Sequence, residues 1–345
     1  MLIFHNPVHH KHAGRQEMYR GRLVPCHESP ARLQYVLDEL QRRPFGELRA
    51  PGDADMALIG RVHSARYLDF LMSAWDEWVA LDPANAECDV LPSVWPVRGF
   101  RHDIAPTNFA ARVGLFSFDA GSPLTAGTWE AARAGAACAI NAARAVCGGA
   151  RAAMAATRPP GHHAGADFLG GYCFLNNAAL AAQALREGGA ARVAVLDIDY
   201  HHGNGTQSIF YERADVFTVS IHGDPITEYP FFLGYADERG QAAGAGFNLN
   251  LPLAKGTDFA TWSSALDRAL DAIARFGAAA LVVALGVDTF EGDPISGFRL
   301  KSGDYLQVGA AIARAGLPTV FVMEGGYAVA AIGVNVVNVL QGFGG

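Results

Sequence analysis

Five short apolar runs, each rich in Val, Ile, Ala or Phe, end abruptly in polar or glycine-rich loops. They lie at residues 152–157, 193–196, 216–221, 280–287 and 319–323. Near-continuous apolar runs of this length are typical of strands that are covered on both faces, as in a parallel sheet. The chain is therefore expected to fold around a parallel sheet that is buried between helices.

Helical patterns with recognisable ends lie between these runs. Residues 128–147 and 175–187 each close at a pair of glycines, and an earlier pattern opens at residues 29–30. Asp258 and Ser302 are expected to cap two further helices, which close at Gly277 and Gly316. Alternating strands and helices predict a three-layer α/β fold. We expect a single domain over residues 1–345, because α/β folds of this size often remain one domain and half of the residues are hydrophobic, which is ample for a large core.

Residues 84–125 do not fit the alternating pattern. This segment contains four prolines, several aromatic residues and little periodicity. We interpret it as a long ordered excursion from the domain, because it is too irregular to form a core of its own. Excursions of this length are usually functional or interfacial.

Composition excludes several classes of protein. The net charge of -7 and the lack of Lys or Arg runs argue against nucleic-acid binding. The five cysteines are scattered without a C-x-x-C pair, which argues against a disulfide framework and favours a reducing compartment. No stretch approaches the ~20 apolar residues of a membrane span. We therefore expect a soluble, cytoplasmic protein without a nucleic-acid or membrane partner.

Polar side chains follow the apolar runs directly. The second run leads into Asp197-Ile-Asp199-Tyr-His201-His202-Gly-Asn204, and the fourth leads into Asp288. The first and last runs lead into R-P-P-G-H-H and E-G-G-Y. Because the carboxyl ends of parallel strands line the ligand crevice of an open sheet, four strands are expected to deliver acids, imidazoles and a phenol to one edge.

Asp199, His201 and Asp288 are the candidate metal ligands. Residues two apart on an extended segment point the same way, so Asp199 and His201 can share one ion. Asp288, from another strand, supplies a third ligand. Two carboxylates and one imidazole that leave one coordination position of the ion open are typical of a catalytic zinc site, although ferrous iron accepts the same ligands.

His162, His163 and Tyr327 are candidates for the chemistry beside the metal. The two histidines lie on a rigid Pro-Pro-Gly turn, and Asp197 and Asn204 are available to orient them, as expected for a general base. Tyr327 follows Gly325-Gly326, whose backbone can approach the site closely. Its hydroxyl could donate to a developing oxyanion.

Together, these motifs resemble the histone deacetylase superfamily, and most closely its bacterial acetylpolyamine amidohydrolases. The matching segments are R-P-P-G-H-H, G-G-Y-C-F-L-N-N, D-I-D-Y-H-H-G-N-G-T-Q, S-I-H-G-D, L-G-V-D-T-F and M-E-G-G-Y. The resemblance extends over essentially the whole chain. It implies an arginase- or deacetylase-like α/β fold around a mainly parallel sheet of eight strands, and zinc on the three candidate ligands.

The resemblance also implies roles for individual residues. His163 would be the general base and acid, with His162 as its electrostatic partner, oriented by Asp197, and Tyr327 would polarise the carbonyl group. Four residues would line the substrate tunnel, namely Gly171, Tyr172, Tyr229 and Ile295. A potassium ion is implied at the positions Asp197, Asp199, His201 and Ser220. Members of this branch are dimers whose long loop closes the tunnel, which would account for residues 84–125.

A related group, the ureohydrolases, binds two metal ions through D-x-H-x-D and D-x-D. Here position 203 is Gly and position 290 is Phe, so the carboxylates that would bridge a second ion are missing. A single metal ion is therefore favoured.

The resemblance implies hydrolysis of small acetylated polyamines, such as acetylputrescine and acetylcadaverine, to acetate and a free amine. Glu17 matches an acidic substrate-contact position of that branch, although it could also be a solvated surface acid. Two further acidic positions are Ala110 and Gly121 here, while Asp119 lies nearby. Two alternatives stay open: a deacetylase for acetyl-lysine in proteins, and a non-catalytic binder of small amines or amides.

Overall fold

A parallel sheet of eight strands forms the centre of the protein. In this computed structural model, which describes residues 1–344, all seven pairings within the sheet are parallel. The strands are β1 (Leu2–His5), β2 (Gln16–Tyr19), β3 (Arg22–Pro25), β4 (Glu47–Arg49), β5 (Ala152–Ala156), β6 (Val193–Asp197), β7 (Val216–Gly223), β8 (Asn248–Leu253), β9 (Ala280–Leu285) and β10 (Thr319–Met323). The sheet order is β4-β1-β5-β10-β9-β6-β7-β8, and β2 and β3 form a separate antiparallel hairpin.

The helices connect the strands and cover the sheet. They are α1 (Ala31–Arg42), α2 (Met56–Val62), α3 (Ala65–Leu81), α4 (Phe109–Leu115), α5 (Thr128–Cys147), α6 (Asn177–Glu187), α7 (Asn204–Phe210), α8 (Phe259–Phe276), α9 (Asp304–Arg314) and α10 (Val329–Gly344). Within residues 1–344, none of these helices combines the length and the apolar character needed to cross a membrane.

Alternate residues of the central strands belong to two separate apolar layers. Val282 and Ala284 of β9 pack with α2, α3, α5 and α6 on one side of the sheet. Leu281 and Val283 pack with α1, α8, α9 and α10 on the other side. Both layers are buried, so the central strands have no solvent-facing side, and this is why they appear in the sequence as unbroken apolar runs. The predicted three-layer fold is confirmed.

The five predicted strands and the cap at Asp258 are confirmed, and one predicted cap is wrong. The Asp258 carboxylate accepts the backbone N–H of Thr261 at 3.0 Å, and Gly277 ends α8 in the left-handed region with φ of 73°. Ser302 does not cap α9. The carboxylate of Asp304 accepts the N–H of Lys301 at 2.8 Å instead, which closes the turn before that helix.

The excursion at residues 84–125 is ordered and returns to the sheet edge. It contains α4, and an antiparallel bridge between Val90 and Leu124 joins its two ends. Near its end, the N–H of Phe118 donates to the carbonyl of Leu169 at 3.0 Å. This contact brings the following residue, Asp119, to the carboxyl edge of the sheet, where the polar motifs lie.

Candidate active site

Three buried side chains of ligand type meet at the carboxyl edge of the sheet. Asp199 and His201 follow β6, and Asp288 follows the neighbouring strand β9. Nδ1 of His201 lies 2.9 Å from Oδ2 of Asp288 and 3.4 Å from Oδ1 of Asp199. The ligand atoms of all three residues lie within 4.8 Å of one another. The structure therefore brings together the three predicted metal ligands.

The electrostatics of this group fit a divalent cation. Burial raises the pKa of Asp288 to about 8, and the charge of Asp199 adds to this effect. Burial opposes protonation of His201, but hydrogen bonds with Asp199 and Asp288 raise its pKa to about 10. Two buried carboxylates so close together need a compensating positive charge, which a bound metal ion supplies. Carboxylate oxygens and an imidazole nitrogen are suitable ligands for such an ion.

A glycine allows the loop after β10 to approach the three candidate metal ligands. The N–H of Gly325 donates to Oδ2 of Asp199 at 2.8 Å. A Cβ atom at this position would lie 2.4 Å from the same oxygen and 2.8 Å from Oδ2 of Asp288, so a larger residue would displace both carboxylates. The expected close approach of the Gly-Gly segment is confirmed. It brings Tyr327, which follows this segment, close to the candidate metal ligands.

The adjacent histidines are held by two different partners. Nδ1 of His162 lies 2.9 Å from Oδ2 of Asp197, and Nδ1 of His163 lies 2.6 Å from Oδ1 of Asn204. Their ring centroids are 4.0 Å apart, and the ring of His163 lies 6.2 Å from that of His201. Because Asn204 offers an acceptor, Nδ1 of His163 carries the proton and Nε2 keeps its lone pair.

The two imidazoles have opposite protonation preferences. Burial alone would lower the pKa of His162, but the carboxylates of Asp197 and Asp199 raise it to about 10. Burial lowers the pKa of His163 well below its ordinary value, and the charges of His162 and His201 lower it further. The site therefore combines a charged imidazolium with a neutral imidazole, which is the form that can accept a proton.

Tyr327 is fixed through its backbone and its ring. Its N–H donates to Oδ2 of Asp293 at 2.7 Å, and the same oxygen accepts the N–H of Ala328 at 3.2 Å. The ring lies 5.4 Å from that of Tyr172, and the guanidinium of Arg32 lies 4.7 Å from its centroid. Burial raises the pKa of the phenol well above its ordinary value, so Tyr327 is a hydrogen-bond donor throughout the neutral range.

A buried ion cluster supports the loop before Tyr327. Nε of Arg32 donates to the carbonyl of Gly326 at 2.7 Å, and the same guanidinium also contacts the carbonyl of Glu324. Glu28 pairs with Arg32 at 3.0 Å and with Arg158 through both of its oxygens. All three charged groups are buried, so the two guanidinium groups depend on one carboxylate for their charge balance.

One cavity of about 310 Å³ connects the reactive groups with the predicted substrate contacts. His163, His201 and Tyr327 line it. The five predicted substrate contacts also line it, namely Glu17, Gly171, Tyr172, Tyr229 and Ile295. The fold thus brings residues from distant parts of the chain to a single tunnel.

Two buried carboxylates organise the tunnel wall. Glu17 is 1% exposed, so its interpretation as a solvated surface acid is wrong. It accepts the hydroxyl of Tyr172 at 2.9 Å. Asp119, from the excursion, accepts the hydroxyl of Tyr229 at 2.7 Å and the N–H of Gly171 at 3.0 Å. Asp119 therefore holds two tunnel residues in place.

The candidate potassium positions are neighbours across two strands. Asp197 and Ser220 are register partners in the pairing of β6 with β7. The hydroxyl of Ser220 lies 2.8 Å from Nδ1 of His222, and Oδ1 of Asp197 accepts the N–H of Asp199 at 3.1 Å. Asp197 and Ser220 of the predicted group are thus neighbours between β6 and β7.

A second buried group of ligand type consists of His162, Cys173 and Glu324. Burial raises the pKa of the Cys173 thiol well above its ordinary value, which makes it a poor ligand. Oε2 of Glu324 accepts the N–H groups of Gly161 and His162 at 2.7 and 3.1 Å. Glu324 thereby fixes the turn that carries the histidines. The group of Asp199, His201 and Asp288 is therefore the better candidate for a metal site.

Several residues that hold the site together were not predicted. Glu324 directly follows an apolar run, so its position was a signal that could have marked it as part of the site. No comparable signal marks the other three residues: Arg32 lies on α1, Glu28 precedes α1, and Asp293 lies in a loop. Each of them contacts residues that are far away in sequence. Their roles depend on the tertiary fold.

Comparisons with known proteins agree with this geometry. The Histone deacetylase domain matches residues 26–343. Acetylpolyamine amidohydrolase 2 of Pseudomonas aeruginosa is 54% identical over 345 residues, which cover 100% of this chain and 99% of that protein. Acetylpolyamine amidohydrolase of Mycoplana ramosa is 47% identical over 345 residues, which cover 100% of both chains. The crystal structure of acetylpolyamine aminohydrolase from Burkholderia pseudomallei gives a TM-score of 0.94 at 39% identity, covering 100% of this chain and 98% of that one.

The fold and the site define a metal-dependent hydrolase that acts on amides. Full-length similarity at this level establishes the ancestry of the chain as well as its architecture. The chain belongs to the histone deacetylase family, as the resemblance of its motifs predicted.

Proposed function

We propose that this protein removes the acetyl group from small acetylated polyamines and releases acetate and the free amine. One observation carries the proposal: a metal-ligand group, a neutral imidazole and a buried phenol meet in the same tunnel as the carboxylate Glu17. The relatives from Pseudomonas aeruginosa and Mycoplana ramosa are named acetylpolyamine amidohydrolases, which supports the same substrate class.

Asp199, His201 and Asp288 would hold a single zinc ion, and ferrous iron fits the same ligands. When bound, zinc polarises a carbonyl group and lowers the pKa of water. Phe290 and Gly203 occupy the positions where further carboxylates would bridge a second ion, which supports one metal per chain.

The protein's own residues would move the proton and stabilise the charge. Nε2 of His163 would take a proton from water and return it to the leaving amine. His162, charged and bonded to Asp197, would stabilise negative charge nearby and keep His163 neutral before the reaction. The hydroxyl of Tyr327 would donate to the carbonyl oxygen as negative charge develops on it.

The tunnel would select the substrate by shape and charge. Tyr229, stacked on Phe118 at 5.9 Å, together with Tyr172 and Ile295, would enclose an alkyl chain. Glu17 would attract the distant ammonium group of the polyamine. Ala110 and Gly121 replace two other acids of the branch pattern, so Glu17 and Asp119 would supply the acidic character of the tunnel.

Other features of the protein belong to the same proposal. We propose one catalytic domain over residues 1–345, a structural potassium ion at Asp197 and Ser220, and a cytoplasmic location. We also propose a homodimer formed through residues 84–125. The exposure of Val97, Phe100 and Ile104, at 59%, 64% and 57%, supports an apolar contact surface on this segment.

Turnover by metal-loaded protein tests the proposed substrate class. We expect N-acetylputrescine and N-acetylcadaverine to be hydrolysed with a higher kcat/KM than an acetyl-lysine peptide. A preference for the peptide would support the protein-deacetylase alternative. Protein that retains its metal and binds these amides without hydrolysing any of them would support the non-catalytic binder.

A further inference from the structure

The hairpin of β2 and β3 positions an imidazole beside the tunnel carboxylate. Glu17 pairs with Val24 across the hairpin, and the chain then continues through Pro25 to His27. Nδ1 of His27 lies 2.8 Å from Oε1 of Glu17, and the N–H of His27 donates to Oε2 at 3.2 Å. His27 therefore contacts both oxygens of the carboxylate.

The other donor to Glu17 is neutral at physiological pH. The hydroxyl of Tyr172 donates to Oε1 at 2.9 Å, and burial raises the pKa of that phenol well above its ordinary value. The backbone N–H of His27 is neutral as well. The net charge of this group is therefore set by the imidazole: it is negative when His27 is neutral and zero when His27 is protonated.

His27 is accessible to protons from solvent, whereas Glu17 is not. The side chain of His27 is 26% exposed and that of Glu17 is 1% exposed. The hydrogen bond that the imidazole donates to Glu17 raises the pKa of His27 above its ordinary value, and burial opposes this. Two further groups near His27 are Tyr19, whose ring lies 5.4 Å away, and Asp293, whose charge also favours the imidazolium. The guanidinium of Arg20 lies 5.0 Å from the Tyr19 ring, lines the same cavity as Glu17 and is the same in the wild type and in a His27 variant.

We propose that His27 is a specificity-determining residue, which controls through its own charge how strongly the Glu17 carboxylate attracts a cationic substrate. This inference rests on the proposed function. With a neutral His27, the group of Glu17 and its hydrogen-bond donors carries a net negative charge that attracts an ammonium group. With a protonated His27, that charge is neutralised and the preference for cationic amides falls.

The ratio of the kcat/KM values for two substrates, one cationic and one neutral, isolates this effect. N-acetylputrescine and N-pentylacetamide have the same length, but one ends in an ammonium group and the other in a methyl group. Titration of the catalytic groups affects both substrates equally, so it cancels in the ratio of their kcat/KM values. The ammonium group remains protonated over the range studied, because alkyl amines titrate near pH ~10.

The ratio is measured from pH 9 to pH 6 in the wild type and in His27→Gln, which keeps a neutral donor beside Glu17. In the wild type we expect the ratio to fall by about tenfold or more as the pH is lowered. The attraction between two close unit charges that are partly shielded from water changes affinity by more than this factor. In His27→Gln we expect a high ratio that does not change with pH. Asp293 is present in both proteins, so any effect of its titration on the ratio appears in both and can be separated from the effect of His27.

A ratio that is independent of pH in the wild type would overturn the proposal, as would the same pH dependence in His27→Gln. If the variant does not fold, NMR titration of His27 in the wild type takes its place. The midpoint for His27 must then coincide with the midpoint of the ratio, and a separation of the two would also refute the proposal. Failure of the proposed function has a different outcome, in which neither amide is hydrolysed.

Discussion

Replacing Tyr327 with phenylalanine removes one hydroxyl group and leaves the other contacts of the residue intact. The backbone N–H still donates to Asp293 at 2.7 Å, and the ring keeps its contacts with Arg32 at 4.7 Å and with Tyr172 at 5.4 Å. The free energy of unfolding should therefore change by about 1 kcal/mol or less. The three metal ligands do not include Tyr327, so the metal content should not change.

The catalytic effect should be much larger than the effect on stability. Loss of one oxyanion donor costs about 10²–10³ in kcat, or roughly 3–4 kcal/mol of transition-state stabilisation. KM should change little, because the ground-state carbonyl group carries less charge than the transition state. Steady-state kinetics with N-acetylputrescine, metal analysis and thermal denaturation on the same preparation measure all three quantities.

Tyr67→Phe is the matched control. Its hydroxyl is also buried and donates to the carbonyl of Phe174 at 2.7 Å, but Tyr67 lies in the apolar layer and outside the tunnel. This variant should lose about 1–3 kcal/mol of stability, because it leaves a buried carbonyl group unpaired, while kcat stays near the wild-type value. Turnover by Tyr327→Phe within about threefold of the wild type, with metal retained, would refute the role of Tyr327 as an oxyanion donor.

The remaining predictions concern the contacts around the site and the exposed segment at residues 84–125. His163→Ala should lower kcat by about 10²–10⁴ with metal content unchanged, and an unchanged kcat would exclude it as the general base. Glu28→Gln should lower the free energy of unfolding by about 3–5 kcal/mol in urea titrations, because it leaves two buried guanidinium groups without a countercharge. Although burial opposes ionisation, the charge of Arg158 lowers the pKa of Glu28 from 4.5 to about 2. Wild-type stabilisation by Glu28 should therefore be complete above pH 4.5 and lost as the pH falls through about 2, and a stability constant over that range would contradict this. Asp293→Ala should lower kcat by up to ~10²-fold by releasing the backbone of Tyr327, with a smaller loss in Asp293→Asn, and equal losses would argue against this role. Phe100→Asp should convert a dimer into a monomer in sedimentation experiments, and an unchanged sedimentation coefficient would place the interface elsewhere.

The sequence predicted the centre of the sheet better than its margins. β5, β6, β7, β9 and β10 are buried on both faces and appear as unbroken apolar runs. β4 and β8 lie at the two edges, where partly exposed residues interrupt the apolar pattern. β1 has four residues and lies beside an edge strand. Such short or half-buried segments give little periodic signal.

The reactive residues were predictable because each directly follows a strand or a rigid turn. The topology of a parallel sheet then requires Asp199, Asp288 and Tyr327 to meet, whatever the details of packing. The residues that orient them obey no such rule. Asp293 binds the backbone of Tyr327 from 34 positions away, and Arg32 binds Gly326 from 294 positions away. Contacts of this kind depend on how the loops pack, and local sequence patterns do not specify them.

The most direct test of the account is metal stoichiometry in matched variants. After loading with zinc, elemental analysis should find one ion per chain in the wild type, in His163→Ala and in Cys173→Ser. The ion should be lost in His201→Ala and in Asp288→Ala, whose side chains supply two of the three clustered ligand atoms. Zinc retained at full stoichiometry in both of these variants, or lost in Cys173→Ser, would contradict the assignment of the metal to Asp199, His201 and Asp288.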